Sequence, residues 1–158
     1  MSVSRMVGLA CEWNHNRYRP PASGNGMPEK IATLQLATLD KCLIVKLPHM
    51  AQVPESLEAF LGDPSIFMVV VGNVAEKLRE QYGLQVANCV SFEMLPISGG
   101  SIMAEDCYLR LQFEHLMLEA FRVLDPDWEV RVLTRQQIKS ACFDAYIRYT
   151  LACKMMGS

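Results

Sequence analysis

A short apolar run at residues 66–71, Ile-Phe-Met-Val-Val-Val, constrains the fold of this 158-residue chain more than any other segment. It is far shorter than the roughly 18–20 residues of a membrane-spanning helix, and a run of this length is typical of a buried strand. A helical pattern at residues 75–82, closed by Gly83, follows it, and then a second strand pattern at 86–92. Strand, helix and strand at this spacing predict a parallel crossover unit.

Three strand patterns precede this unit. Within residues 6–13, the odd-numbered positions carry large or apolar side chains and the even-numbered positions carry a different set, so the pattern repeats every two residues. This is typical of a strand whose two faces have different surroundings. Residues 31–38 and 42–47 are two more strand patterns with only a short turn between them, which predicts an antiparallel meander. Residues 15–28 are dense in Pro, Gly and Asn and predict a long exposed loop.

Three helices are predicted besides the crossover helix. Residues 54–62 have Pro in the first turn and a terminal Gly, and residues 105–124 carry an apolar stripe that ends before Pro126. Thr134 and Gln137 form a capping-box pattern at the start of the last helix. Its predicted apolar stripe consists of Ile138, Ala141, Cys142, Ala145, Tyr149 and Ala152. The expected fold is α/β, a mixed five-stranded sheet in the order β-β-β-α-β-α-β-α-α, flanked by helices and forming one domain over residues 1–158.

Composition excludes several classes of protein. The chain is 51% hydrophobic and has a net charge of −2, so it has an ample core and no basic field that would indicate a nucleic-acid binder. Its six cysteines include no Cys-x-x-Cys pair, which disfavours a zinc site. We expect reduced, mostly buried thiols and no disulfide framework. Without a signal-peptide or membrane pattern, the expected location is the cytoplasm or the nucleus.

Three groups of motifs occur in a fixed order along the chain. They are VGLACEW at 7–13; ATLQLA at 32–37 with CLIV at 42–45, continuing to EKL at 76–78; and Trp128 with LTRQQI at 133–138 and ACFDAY at 141–146. In order and spacing they resemble the 3′–5′ exonuclease domain of the DEDD superfamily, and most closely its Werner-type branch as found in plants. The resemblance covers residues 6–153 and implies a ribonuclease-H-like fold.

That family hydrolyses phosphodiesters with two divalent metals held by four carboxylates. The resemblance places Glu12 and Asp144 at two of the four acidic positions. Ala10 and Val74 occupy the other two, and Ser140 stands where the family has a water-activating Tyr or His. The resemblance therefore implies a degenerate site, with at most weak metal binding at Glu12 and Asp144. We expect no resident cofactor, or Mg²⁺ or Mn²⁺ if activity is retained.

Other interpretations of these positions stay open at this stage. Asn73, Glu76 or Glu105 are candidates to replace a lost ligand, although the sequence cannot place them beside Glu12. Asp144 also stands four residues before Arg148, so an ordinary ion pair on a helix surface is an alternative to a remnant site.

Three function hypotheses follow. The first is an exonuclease-like domain with impaired catalysis that acts by binding single-stranded nucleic acid, a protein partner or copies of itself. The second is an active 3′–5′ exonuclease on single-stranded RNA or DNA, with a rebuilt site or one completed in an oligomer. The third is a purely structural interaction module. Arg17, Tyr18 and Arg19 are candidates for nucleic-acid contact, because cationic and aromatic side chains together bind single strands. Three such residues in a Pro-rich loop are more often simply a solvated loop.

Overall fold

The computed structural model describes residues 5–14, 30–91 and 126–155. Its five strands are β1 (Met6–Trp13), β2 (Ile31–Ala37), β3 (Cys42–Lys46), β4 (Phe67–Val70) and β5 (Cys89–Ser91). They form one mixed sheet of order β3-β2-β1-β4-β5. The helices are α1 (Glu55–Leu61), α2 (Val74–Tyr82) and α3 (Arg135–Met155), and a 3₁₀ turn covers Leu47–His49. No helix within these ranges is long and apolar enough to cross a membrane.

Strand pairing confirms both halves of the predicted topology. The pairs β1–β2 and β2–β3 are antiparallel, as in the expected meander. The pairs β1–β4 and β4–β5 are parallel, so α2 is the predicted crossover. The helix predicted at 105–124 lies outside the described residues.

The two faces of β1 contact different layers. Val7, Leu9 and Cys11 belong to a large apolar cluster that also includes residues of α1 and α2. Residues with even numbers lie on the opposite face, because side chains alternate along a strand. On that face Ala10 packs against Ala145 of α3. The described sheet is therefore covered by α1 and α2 on one side and by α3 on the other.

Helix α3 approaches β1 closely at Gly8. A Cβ atom added to Gly8 would lie 2.0 Å from the carbonyl oxygen of Ala145 and 2.7 Å from the amide nitrogen of Tyr149. Both are backbone atoms of a helix, so neither can move away as a flexible side chain would. Ala10 and Ala145 next to this contact are completely buried. Small side chains on both elements thus permit the helix backbone to lie directly on the strand.

The first turn of α3 confirms the capping box and corrects one residue of the apolar stripe. The amide of Thr134 donates to Gln137 Oε1 at 2.9 Å, and the amide of Gln137 donates to Thr134 Oγ1 at 3.2 Å. The Gln137 amide group also donates to the carbonyl oxygen of Asp127, which holds Gln137 in the interior. Ile138 was predicted to be buried, but it is 43% exposed, because Gln137 takes the inward position in this turn.

Strand β5 is shorter than the pattern at 86–92 predicts, since it begins only at Cys89. The two residues before it form hydrogen bonds with the chain at and just after the end of α1. The amide of Ala87 donates to the carbonyl oxygen of Leu61, and the side chain of Asn88 donates to the carbonyl oxygen of Pro64. These contacts turn the chain before the ladder with β4 starts.

We predict that Gly8→Ala destabilises the protein by about 1–3 kcal/mol or more, because overpacking a closely packed contact costs this much. The measurement is urea unfolding followed by circular dichroism. Gly62→Ala is the matched control: it adds the same methyl group at an exposed residue, with the nearest atom at 3.1 Å. Equal losses in the two variants would contradict a specific contact between α3 and Gly8.

Candidate functional site

The end of β1 brings Glu12 close to α3. Glu12 is half-buried and lies two residues after Ala10, on the same face of the strand. Burial raises the pKa of Glu12 to about 8, and the nearby negative charge of Asp144 adds to the increase. The positive charge of Arg148 acts in the opposite direction. The structure therefore brings together the two acidic residues that the sequence singled out, Glu12 and Asp144.

A close ion pair fixes Asp144. Nη1 of Arg148 lies 2.5 Å from Oδ1 of Asp144 and donates to the Asp144 backbone carbonyl oxygen at 2.7 Å. The side chains of Arg148 and Asp144 are only 14% and 24% exposed. Exposed ion pairs contribute little, but a pair with this much burial is screened less by water. Arg148 is thus the counter-ion of this acid.

The described part of this cluster has few charged groups. The cluster has two carboxyl groups, Glu12 and Asp144, and one guanidinium group, Arg148. With its pKa near 8, Glu12 is largely protonated at neutral pH, so Asp144 and Arg148 are left as a neutral pair. A pair of divalent metals needs several ionised carboxylates to offset its charge. The described residues here do not fit such a two-metal site.

The resemblance assigns acids at two further positions, and this chain has none there. Ala10 is completely buried against Ala37 and Ala145, and Val74 is the first residue of α2 with its side chain in the apolar cluster on the far side of the sheet. Ser140 is half-buried one turn before Asp144. Within the described ranges, no group of three or more His, Cys, Asp or Glu is arranged to hold a metal ion.

The structure describes two of the candidate replacement ligands. Asn73 is exposed directly before α2, and Glu76 is exposed and lies 3.8 Å from Arg79 on the same helix. Glu76 is not among the charges that act on Glu12, and it forms no group of three acids with Glu12 and Asp144. Glu105 and the loop candidates Arg17, Tyr18 and Arg19 lie outside the described residues.

The sequence does not predict one contact at the end of β1. Lys77 of α2 places its Nζ 4.2 Å from the centre of the Trp13 ring, which is a cation–π contact. Trp13 belongs to the motif VGLACEW and Lys77 to the motif EKL. Nothing in these motifs predicts that the two side chains contact each other. The pairing joins the end of β1 to α2, on the sheet face opposite α3.

Comparison with known proteins supports the assignment of the fold. No protein-family model matches the chain. It is 27% identical over 157 residues to exonuclease 3′-5′ domain-containing protein 2 of Drosophila melanogaster, covering 96% of this chain and 25% of that protein. It is 26% identical over 151 residues to a 3′-5′ exonuclease of Arabidopsis thaliana, covering 92% of this chain and 50% of that protein. The chain therefore spans between a quarter and half the length of these curated relatives.

A solved structure supports the same fold. Escherichia coli RNase D, described as an exoribonuclease involved in structured RNA processing, superposes with a TM-score of 0.67 at 18% identity, covering 96% of this chain and 39% of that one. The names of the relatives do not single out the Werner-type branch, which stays a prediction. The chain has the mixed α/β, ribonuclease-H-like fold of the DEDD 3′–5′ exonuclease domains.

Proposed function

We propose that this chain is a 3′–5′ exonuclease-like domain that has lost metal-dependent hydrolysis and acts by binding, with single-stranded nucleic acid as its ligand. One observation carries the proposal: the guanidinium group of Arg148 lies 2.5 Å from the carboxylate of Asp144, the acid at the fourth family position. A positive side chain at this distance competes directly with any dication for the same oxygen atoms.

Loss of the other acids supports the same proposal. Ala10 and Val74 have no oxygen with which to ligate a metal, and both side chains are buried among apolar neighbours. Restoring an acid at either position would require a charged group in an apolar cluster, which is costly without a partner. Catalytic groups that act as a unit lose most of the rate when one is removed. Two missing ligands are therefore enough to abolish the hydrolysis.

Binding remains compatible with the fold. Nuclease activity in the relatives' names makes nucleic acid the first ligand to test. Phosphate contact needs a local positive charge rather than a positive net charge. In the described part of the chain, Arg148 is offset by Asp144, whereas Lys77 lies over the Trp13 ring at the end of β1. A cation beside an aromatic ring at this end of the sheet suits a single strand.

We predict that the protein does not shorten labelled single-stranded RNA or DNA in Mg²⁺ or Mn²⁺. Its rate is expected to be at least about 10³-fold below that of Escherichia coli RNase D, because the loss of one member of a catalytic unit already costs this much. Gel electrophoresis of the labelled strand is the measurement. Shortening that disappears in both Glu12→Ala and Asp144→Ala would overturn the proposal and favour an active, rebuilt site.

We predict that the protein binds a labelled single strand at low salt and that its affinity falls as salt increases, since phosphate contacts release counterions. Fluorescence anisotropy across a salt series gives the slope. Lys77→Met keeps the length of the side chain and removes its charge, so it should reduce the slope by about one. Lys139→Met makes the same change of charge at an exposed lysine of α3 and controls for a general change of charge. Absence of binding at low salt would support the purely structural alternative.

The pKa of Glu12 predicts how stability depends on pH. In the folded protein this pKa is about 8, against an ordinary value of 4.5, so the folded state holds a proton that the unfolded state has released between these pH values. Stability therefore falls as pH rises from about 5 to above 8. Glu12→Gln removes this dependence. From pH 5.5 to pH 8.5, the free energy of unfolding of Glu12→Gln should therefore increase relative to that of the wild type by at least about 1 kcal/mol, which corresponds to less than one pKa unit.

Urea unfolding at the two pH values measures this difference. Glu76→Gln is the matched control, because it makes the same chemical change at an exposed acid of α2. If the free energies of unfolding of the wild type and Glu12→Gln differ by the same amount at both pH values, a buried, protonated Glu12 is contradicted.

A further inference from the structure

An open groove, called the α3 groove below, separates α3 from the turn between β2 and β3. One wall is formed by residues 37–42, and the other is a face of α3 that consists of Lys139, Cys142, Phe143 and Tyr146. The volume of the groove is about 540 Å³, and its lining is mostly apolar. Its lining includes no member of the acidic cluster. The proposed function therefore gives this groove no role.

The helical wall is one continuous strip of α3. Its four residues follow the spacing i, i+3, i+4 and i+7, so they are neighbours along about two turns, or about 10 Å of helix. Ile138 stands four residues before Cys142, and it extends the strip by one turn. The strip is long enough to contact two turns of a second helix.

Large apolar side chains are exposed on both walls. Leu39 in the turn is 70% exposed, and Tyr146 on α3 is 37% exposed. Ile138, at the end of the strip, is 43% exposed. Exposed apolar side chains that are grouped together and have charged residues beside them are typical of a surface that binds another molecule.

Two lining residues are cysteines, Cys42 at the start of β3 and Cys142 on α3. Both are half-buried, and a free thiol of this kind adds apolar surface to the groove. The expectation of mostly buried cysteines is therefore wrong for this pair. It is also wrong for Cys153, which is half-buried, and for Cys89, which is exposed, whereas Cys11 is buried as expected.

The charges of the lining favour an acidic ligand. Lys41 belongs to the turn and Lys139 to α3, so each wall carries one exposed lysine. Asp40 is the acid of the lining. Two lysines and one aspartate give a local charge of +1 in a chain whose net charge is −2. Ammonium groups on both walls are placed to meet carboxylates on both sides of an apolar ligand.

We propose that the α3 groove binds a short segment of another protein in which apolar side chains are flanked by Asp or Glu. The inference does not depend on the proposed function. Sites for small molecules bury most of the ligand, which an open groove does not do. Interfaces with nucleic acid are far more polar and more positively charged than this lining. An acidic, amphipathic segment matches both the apolar walls and the two lysines, as in other helix-in-groove contacts.

The two kinds of contact should differ in strength. Tyr146 has a large apolar ring with a polar tip, and such side chains dominate many protein interfaces. The lysines are exposed, and exposed ion pairs contribute little to affinity but penalise a ligand of the wrong charge. We therefore expect Tyr146 to determine affinity and the lysines to determine the preference for acids.

The test selects binders to the immobilised full chain from a display library of random peptides about twelve residues long. Enriched sequences are then synthesised with a fluorescent label and titrated by anisotropy. We expect them to have acids on both sides of at least two apolar residues. Tyr146→Ala should weaken their binding by at least about tenfold, and Lys139→Glu by several-fold.

Two matched variants control for general effects. Phe60→Ala truncates an aromatic residue of α1 that has the same 37% exposure as Tyr146, and Lys30→Glu reverses an exposed lysine outside the groove. Each should change affinity by less than about twofold. A photo-reactive group in the peptide should cross-link to residues 37–42 or 139–146 of the wild-type chain. This measurement needs no variant, so it holds even if a substitution prevents folding.

Four outcomes would overturn the proposal. These are the absence of enriched peptides, enriched peptides without a preference for acids, cross-links outside both walls, and equal losses in Tyr146→Ala and Phe60→Ala. Binding of a labelled single strand that is lost in Lys139→Glu would instead assign the groove to nucleic acid. Dimerisation of the chain that is lost in Tyr146→Ala would assign it to a second copy.

Discussion

Contact between the backbone of α3 and the backbone of β1 at Gly8 determines how the rest of this structure is arranged. A side chain at residue 8 would lie 2.0 Å from the carbonyl oxygen of Ala145, so glycine is required for this approach. Asp144 directly precedes Ala145, and Glu12 lies on the same face of β1 as Gly8. The approach therefore brings an acid of the strand and an acid of the helix into one partly buried cluster. The spacing of these two acids follows from this packing.

Two acids held this close must be neutralised, since like charges with little water between them repel strongly. The structure does this in two ways. Arg148 pairs with Asp144. Burial, and to a smaller extent the nearby charge of Asp144, raises the pKa of Glu12 to about 8, so that its carboxyl group keeps a proton at neutral pH. A family member with four acids would have to balance far more negative charge. The resemblance places Ala10 where a family member has an acid, and with only Glu12 and Asp144 to balance, Arg148 and one proton are sufficient.

The sequence predicts what depends on local pattern. Alternation along β1, the crossover through α2 and the capping box of Thr134 with Gln137 were all anticipated, because each depends on residues a few positions apart. Prediction from the sequence fails where two contacting residues are far apart along the chain. The inward turn of Gln137 depends on a carbonyl ten residues away, and the contact of Lys77 with Trp13 depends on how α2 lies against β1. Residue pattern alone does not determine such relative positions.

The candidate site shows the same limit of prediction from residue pattern. The sequence places Glu12 and Asp144 at positions that the resemblance assigns to acids, and the i, i+4 spacing of Asp144 and Arg148 already offers their ion pair. Only the packing of α3 on β1 shows that the charges of this pair act on Glu12 and that burial raises the pKa of Glu12. The acidic cluster therefore depends on the position of α3 against Gly8.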